Sequence, residues 1–227
     1  MRRGVFVTGT DTGVGKTVAA CALLHALRTR GVPVAPMKPV AAGSEGHDGI
    51  EANADTLALI AAAGAEPAAM ADVTPVLLRL AMAPHIAALR EGQRITAAPI
   101  HAAFERLAAG GHFVVVEGVG GFLVPLDHDW DAADLASELA LPVVLVVGMR
   151  LGCLNHALLT ARAIEATGLP FAGWIANTLD PLMAAPEENV EALRTRLRAP
   201  LLGRLPFAIN PDPAFLATYL DVGPLLA

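Results

Sequence analysis

The chain has 227 residues, enough for one α/β domain with a substantial buried core. Apolar residues make up 54% and charged ones only 17%, which excludes a disordered chain. A formal net charge of -6 argues against nucleic acid or an anionic membrane as the main partner, yet permits a local basic phosphate site.

Met1, Arg2 and Arg3 run straight into the first apolar stretch, so no signal peptide is expected. The two cysteines, Cys21 and Cys153, have neither disulfide nor zinc spacing, and a reducing, cytoplasmic setting is the simpler expectation. The apolar run 140–148 is far shorter than the ~20 residues a bilayer span requires.

Strand and helix alternate along the chain, the signature of a parallel sheet with crossover helices. A strand is predicted over 5–8. A helix follows over 16–30, with Cys21, Leu24 and Leu27 as its apolar positions and Gly31 as its stop signal. Between them, residues 9–17 read G-T-D-T-G-V-G-K-T. Strand, glycine-rich loop, helix is the setting of a phosphate-binding loop. Backbone N–H groups turn inward at an anion, and the helix start adds about half a positive charge. Thr12, Gly13, Val14 and Gly15 would wrap the nucleotide's phosphates, Lys16 would reach the β- and γ-phosphates, and the Thr17 hydroxyl would meet Mg²⁺. The first glycine is Gly9, one position earlier than the usual spacing, so the loop is one residue longer.

A second strand is predicted over 32–37, ending at Lys38. Pro39 then sends the chain into a polar, glycine-rich loop over 41–49. Lys16 and Lys38 are the only lysines among 16 Lys and Arg residues. A position that keeps lysine against an arginine-rich background needs a compact, mobile point charge rather than a planar fork. That singles out Lys38 beside Lys16. A helix over 51–63 is closed by 64–67. Asp55 lies in its first half, early enough to face the edge of the phosphate loop, although the default for a helix carboxylate is solvent. Residues 68–83 carry mixed signals. Helices follow at 84–90, with Pro84 in the first turn, and at 96–109. His85 reads as a satisfied, half-buried histidine rather than a catalyst.

Residues 112–117 make a buried strand, V-V-V before Glu117, with Gly118, Val119, Gly120 and Gly121 behind it. An uncompensated carboxylate at that strand end would be costly. Beside a triphosphate it can bind Mg²⁺; otherwise it is a solvated strand-end acid. A helix at 131–140 and an all-apolar strand at 142–147 come next, then a helix at 154–167 closed by Gly168. The turn Leu151-Gly152-Cys153-Leu154-Asn155 offers a second helix N-terminus suited to an anion, with Asn155 as a natural cap. A strand at 171–176 ends at Asn177, a polar helix covers 186–198, and a last strand at 201–205 precedes Pro206. The tail holds one or two helical turns around 215–220. No repeat or linker divides the chain. The expected architecture is a single domain over 1–227, α/β and P-loop NTPase-like, with a mostly parallel β-sheet and helices on both faces. In such a sheet ligands bind beyond the carboxyl ends of the strands. Lys38, Glu117, residues 150–155 and Asn177 all fall there with the phosphate loop.

Taken together, the motifs resemble the dethiobiotin synthetase family, ATP-dependent ligases of biotin biosynthesis. The resemblance rests on G-T-D-T-G-V-G-K-T at 9–17, K-P-V at 38–40, P-H-I at 84–86, V-E-G-V-G-G at 116–121, L-G-C-L-N-H-A at 151–157 and G-W-I-A-N at 173–177. It implies that 7,8-diaminononanoate (diaminopelargonate), CO₂ or bicarbonate and ATP give dethiobiotin, ADP and phosphate, through a carbamate and a carbamic–phosphoric anhydride. It implies Thr17, Asp55 and Glu117 as Mg²⁺ ligands, and Lys16 and Lys38 as the cations around the reacting groups. Nucleotide contacts are implied for residues 12–17, Glu117, Gly118, Asn177 (to adenine) and Pro206. Substrate contacts are implied for Thr12 and Lys38, and for Gly152, Cys153, Leu154 and Asn155 across the interface of a homodimer. The extra loop residue would let the side of Thr10 and Thr12 face the carbamate.

Two positions depart from the family pattern. Ala42 stands where relatives commonly have a hydroxyl, with Ser44 two residues on as a candidate substitute. Gly13 stands where some relatives carry an acid. The rival expectation is a regulatory ATPase of the partitioning type. Such proteins typically have a loop lysine where this chain has Asp11, and often end in a basic helix, whereas no Lys or Arg follows Arg204.

Overall fold

The computed structural model describes residues 4–47, 50–65 and 70–226. In chain order the elements are β1 (Gly4–Gly9), α1 (Lys16–Thr29), β2 (Val34–Met37), β3 (Val40–Ala42), β4 (Glu45–His47), β5 (Ile50–Ala52), α2 (Ala54–Ala63) and α3 (Met70–Val73). Next come β6 (Val76–Leu78), α4 (Pro84–Arg90), α5 (Ala97–Ala108), β7 (Phe113–Glu117), β8 (Pro125–Asp127), β9 (Trp130–Asp131) and α6 (Ala132–Leu139). The chain continues through β10 (Val143–Met149), α7 (Cys153–Ala166), β11 (Phe171–Thr178), α8 (Pro186–Arg194), β12 (Leu201–Leu205) and α9 (Pro213–Ala217).

Six strands form the central sheet in the order β12-β11-β10-β1-β7-β2, and every neighbouring pair is parallel. Their near-continuous apolar runs are what a sheet covered on both faces demands. Side chains alternate between the faces with period two. Val5, Val7, Val115, Val144, Val146 and Ile175 pack with α1, α2 and α9. Phe6, Val114, Val116, Leu145, Val147 and Trp174 pack on the other side with α4 to α8. Each fully buried large side chain contributes about 1.5–3 kcal/mol. Pro36 lies in β2, and as an edge strand β2 tolerates its missing N–H.

The connections hold most of the differences from the sequence reading. The loop expected at 41–49 instead contributes β3, paired in parallel with β6 from the mixed segment, and β4, paired antiparallel with β5. Residues 48 and 49, like 66 and 67 of the expected helix stop and 1–3 of the expected leaderless start, lie outside the described residues. Because Glu51 belongs to β5, α2 starts at Ala54, where the Asn53 side chain accepts the Asp55 N–H at 3.0 Å and caps the helix. Helix α7 starts at Cys153 after Gly152, which sits at φ 94 as N-cap. Asn155 is therefore the third helical residue, exposed, and not a cap. Strand β11 runs on through Asn177 to Thr178. Helix α8 stops at Arg194, four residues before its expected end.

Candidate active site

Eight polar residues are buried among those described, and five of them, Lys16, Lys38, Asn53, Glu117 and Asn177, gather at one edge of the sheet. Burying polar groups costs free energy unless they are partnered, so their gathering marks a built site. Parallel register explains it. β1, β7 and β2 end side by side, and the phosphate loop, Glu117 and Lys38 follow directly from those three strand ends. They open into a cleft of about 740 Å³ whose lining includes Thr12, Lys16, Thr17, Lys38, Asp55 and Glu117.

The phosphate loop keeps the sheet ladder as far as Thr10, whose N–H donates to the Val146 carbonyl at 3.1 Å. Gly15 is the N-cap of α1 at φ 83, and a Cβ there would come within 2.1 Å of the Asn177 amide nitrogen. Only glycine satisfies both the left-handed backbone and the close approach. Lys16 Nζ donates to the Asp11 carbonyl at 3.0 Å. Burial, and then the charge of Lys38, lower its pKa to about 8.

Lys38 has the opposite surroundings. Its ammonium lies 2.5 Å from Glu117 Oε1 and 3.0 Å from Asp55 Oδ2, and 3.4 Å from the Gly118 carbonyl. Burial pulls its pKa down, but the two carboxylates outweigh that and raise it. Burial lifts the Glu117 carboxyl, with Asp55 adding to the rise against the pull of Lys38. Asp55 also loses solvent, yet Lys38 holds it below the ordinary carboxylate range. The Thr17 hydroxyl donates to Glu117 Oε1 at 2.9 Å. Glu117 Oε2 is buried with no hydrogen-bond partner.

That orphaned oxygen, the Thr17 hydroxyl and the Asp55 carboxylate suit a hard, oxygen-seeking cation. Among the described residues no cluster of three or more His, Cys, Asp or Glu could hold a metal alone. The donor set fits a Mg²⁺ ion that shares its coordination with phosphate oxygens.

Next to the phosphate loop, a smaller pocket of about 230 Å³ is lined by Gly13, Gly15, Val18, Asn177, Pro206 and Phe207, among others. The Asn177 amide nitrogen donates to the Val14 carbonyl at 2.9 Å, which fixes the amide and leaves its oxygen as the remaining acceptor. A third cleft of about 460 Å³, between α1, α2 and α9, is mainly apolar and contains neither lysine.

The expected residues are therefore placed unevenly. Thr12, Gly13, Gly15, Lys16, Thr17, Lys38, Asp55 and Glu117 share the large cleft, while Asn177 and Pro206 line the adjoining pocket. Thr10 lines neither, and Gly118 packs its backbone on Phe6, turning only its carbonyl to Lys38. Val14 is buried and contributes backbone. Gly152, Cys153, Leu154 and Asn155 line neither cavity; Cys153 is buried, and Asn155 is exposed on α7. Ala42 lines the cleft, but the Ser44 hydroxyl is turned to Glu51 at 2.8 Å and does not take the missing hydroxyl's place. Gly13, at φ 76, has open space where a side chain would stand. His85 is half-buried as expected, yet its Nδ1 is buried without a partner, so it is not satisfied.

Sequence reading missed Asn53, which lines the cleft and donates to the Ala42 and Gly43 carbonyls at 3.3 and 2.9 Å, tying the loop after Lys38 to α2. Its signal was available: an asparagine directly before a helix that carries an acid in its first turn.

Fold and site together define a P-loop nucleotide-binding protein built on a parallel sheet. Relationships to known proteins narrow this. A family model described as an AAA domain matches residues 3–213. The chain is 55% identical to the ATP-dependent dethiobiotin synthetase BioD of Aromatoleum aromaticum over 218 residues, 96% of each chain. It is 50% identical to that of Ralstonia nicotianae over 227 residues, covering 100% of this chain and 99% of the other. Among solved structures, a ParA family ATPase from Chlorobium tepidum aligns with a TM-score of 0.54 at 16% identity, over 92% of this chain and 86% of that one. Chloroplast FtsY from Physcomitrella patens gives 0.52 at 20% identity, over 100% and 64%. At such identities the likeness is one of fold. The chain belongs to the family of ATP-dependent dethiobiotin synthetases.

Proposed function

We propose that this protein is an ATP-dependent cyclo-ligase that carboxylates 7,8-diaminononanoate and closes its ureido ring to give dethiobiotin. One observation carries the reading: two buried lysines face one cleft, one in the phosphate loop and one held by two carboxylates at a neighbouring strand end.

The chemistry requires both. One amine of the diamine attacks CO₂ and, losing a proton, becomes a carbamate. A carbamate oxygen then attacks the γ-phosphorus and the bond to ADP breaks, giving a mixed carbamic–phosphoric anhydride. The second amine attacks the carbonyl carbon, the ring C–N bond forms, and phosphate leaves. Before transfer, like charges about 4 Å apart repel by roughly 4 kcal/mol at an effective dielectric of 20. Lys16 would turn from the Asp11 carbonyl onto the phosphates, and Lys38 would offset the carbamate and the transferring group. Thr17, Asp55 and Glu117 would hold Mg²⁺, which neutralises phosphate charge when bound.

Asn177 supports adenine as the base. Its committed nitrogen leaves an oxygen that can accept from an exocyclic amine and would repel the guanine carbonyl. A homodimer is supported by the α7 start, where Leu151 is 96% exposed and Leu159 55% exposed around the exposed Asn155. In that arrangement the free N–H groups of the helix receive the substrate carboxylate bound in the partner's cleft. Both cysteines are free and buried, in keeping with a cytoplasmic setting. Among the described residues no helix is long and apolar enough to cross a membrane.

The deciding experiment measures ADP release from Mg²⁺ and ATP with diamine and bicarbonate added singly and together. Release that needs both supports the synthetase reading. ATP turnover indifferent to the diamine refutes it.

A further inference from the structure

The role of Asp11 is left open by the reaction as described. It sits at the tip of the phosphate loop, just past Thr10, the last residue held by the sheet ladder. Three contacts converge on it. Its carbonyl accepts from Lys16 Nζ at 3.0 Å, its Oδ1 accepts the Thr12 N–H at 2.7 Å, and its Oδ2 accepts from Arg150 Nη2 at 2.8 Å. Arg150 directly follows β10, the sheet neighbour of β1, and its own backbone is fixed because its carbonyl accepts the Cys153 N–H at 3.0 Å. The turn between β10 and α7 therefore reaches across to the one part of the loop that the sheet does not hold.

Both side chains are about half exposed, 46% for Arg150 and 48% for Asp11. A pair so exposed adds little to stability, so its consequence lies in geometry. We propose that Asp11 and Arg150 form a positioning strut for the phosphate loop. Arg150 fixes the Asp11 carboxylate, and through it the loop backbone from which Lys16 starts toward the phosphates and the Thr12 edge that faces the cleft. The strut would absorb the residue by which this loop exceeds the usual spacing. Its other end anchors at the start of α7, so the nucleotide loop and that helix N-terminus become one mechanical unit. The proposal rests on the role given above to Lys16.

The test compares Arg150→Gln, Asp11→Asn, the double variant and Arg150→Lys, with Lys16→Gln as control. It reads kcat, KM for the diamine, affinity for a fluorescent ADP analogue, and the thermal midpoint. Each single variant should lower kcat about tenfold, as expected for sub-ångström misplacement of a charge at the reacting centre, with the midpoint almost unmoved. The double variant should lose no more than the worse single, since both remove one interaction. Arg150→Lys should recover most of the rate. Normal kcat in both singles, additive losses in the double, or losses that track the thermal midpoint would each overturn the strut. Normal turnover by Lys16→Gln would instead overturn the reading of Lys16 itself, whereas an inactive Lys16→Gln beside normal strut variants would remove the strut alone.

Discussion

The two lysines of this chain face the same cleft, are almost equally buried, and have opposite electrostatic surroundings. Lys16 rests on the Asp11 backbone carbonyl, with its pKa lowered to about 8 by burial and by Lys38. Lys38 is clasped between Glu117 and Asp55, which hold it charged despite its burial. The first is a cation short of negative charge, which a triphosphate would supply. The second already has its counter-charges, so an incoming anion must be matched to a balance that is already set. Burial lowers the pKa of both lysines; only beside Lys38 do neighbouring carboxylates outweigh it.

The contrast breaks most visibly with charge removal. Lys38→Gln should lower kcat about 100-fold, the scale of losing one preorganised contact to a developing charge, while affinity for a nucleotide analogue changes little. Lys16→Gln should lower both. Steady-state kinetics and a fluorescence titration separate the cases, and near-normal kcat in Lys38→Gln would erase the distinction. Glu117→Gln should then cost about 3 kcal/mol in urea unfolding, because it strips a buried ammonium of its closest partner. Adding Lys38→Met to that variant should recover much of the loss; no recovery would mean that Glu117 supports the fold by other means.

Smaller effects sharpen the Lys16 side. Asn177→Ala removes the acceptor from the pocket proposed for the base, and the preference for ATP over GTP in kcat/KM should fall about tenfold. The last effect follows from the lowered pKa of Lys16. Phosphate raises that pKa, so binding takes up a proton once the free lysine begins to lose its own, and affinity falls as pH rises through about 8. The expected loss is about threefold between roughly pH 7.5 and 8.5. Calorimetry in buffers of different ionisation enthalpy reads the proton directly, and proton release on binding would contradict the assignment.

Much of this site was legible in one dimension because its chemistry is local. A strand, nine loop residues and a helix start make the phosphate cradle in one continuous stretch. Lys38 and Glu117 end strands whose apolar runs placed them at the sheet's carboxyl edge. Asp55 was harder, since a helix carboxylate faces solvent by default and only its 3.0 Å contact to Lys38 brings it into the cleft. Asn155 is not the cap its residue type suggests, because Gly152 at positive φ takes that place and the helix starts at Cys153, two residues before Asn155. The same local habit hid β3 to β6: three residues are too few to show a period, β4 and β5 pair as a short hairpin, and β3 becomes a strand only because the distant β6 supplies its hydrogen bonds.

The sequence by itself determined the phosphate loop, the parallel α/β architecture and the pairing of two lysines, all of which rest on periodicity, turn chemistry and residue type within a short window. Tertiary structure decided everything that depends on which groups meet across the sheet. It set the opposite surroundings of Lys16 and Lys38, left one Glu117 oxygen buried without a partner, and committed the Asn177 amide to the loop. It also brought Arg150 onto Asp11, 139 positions away in the chain. Electrostatic environment is a sum over neighbours in space, and the order of residues along a chain does not specify that sum.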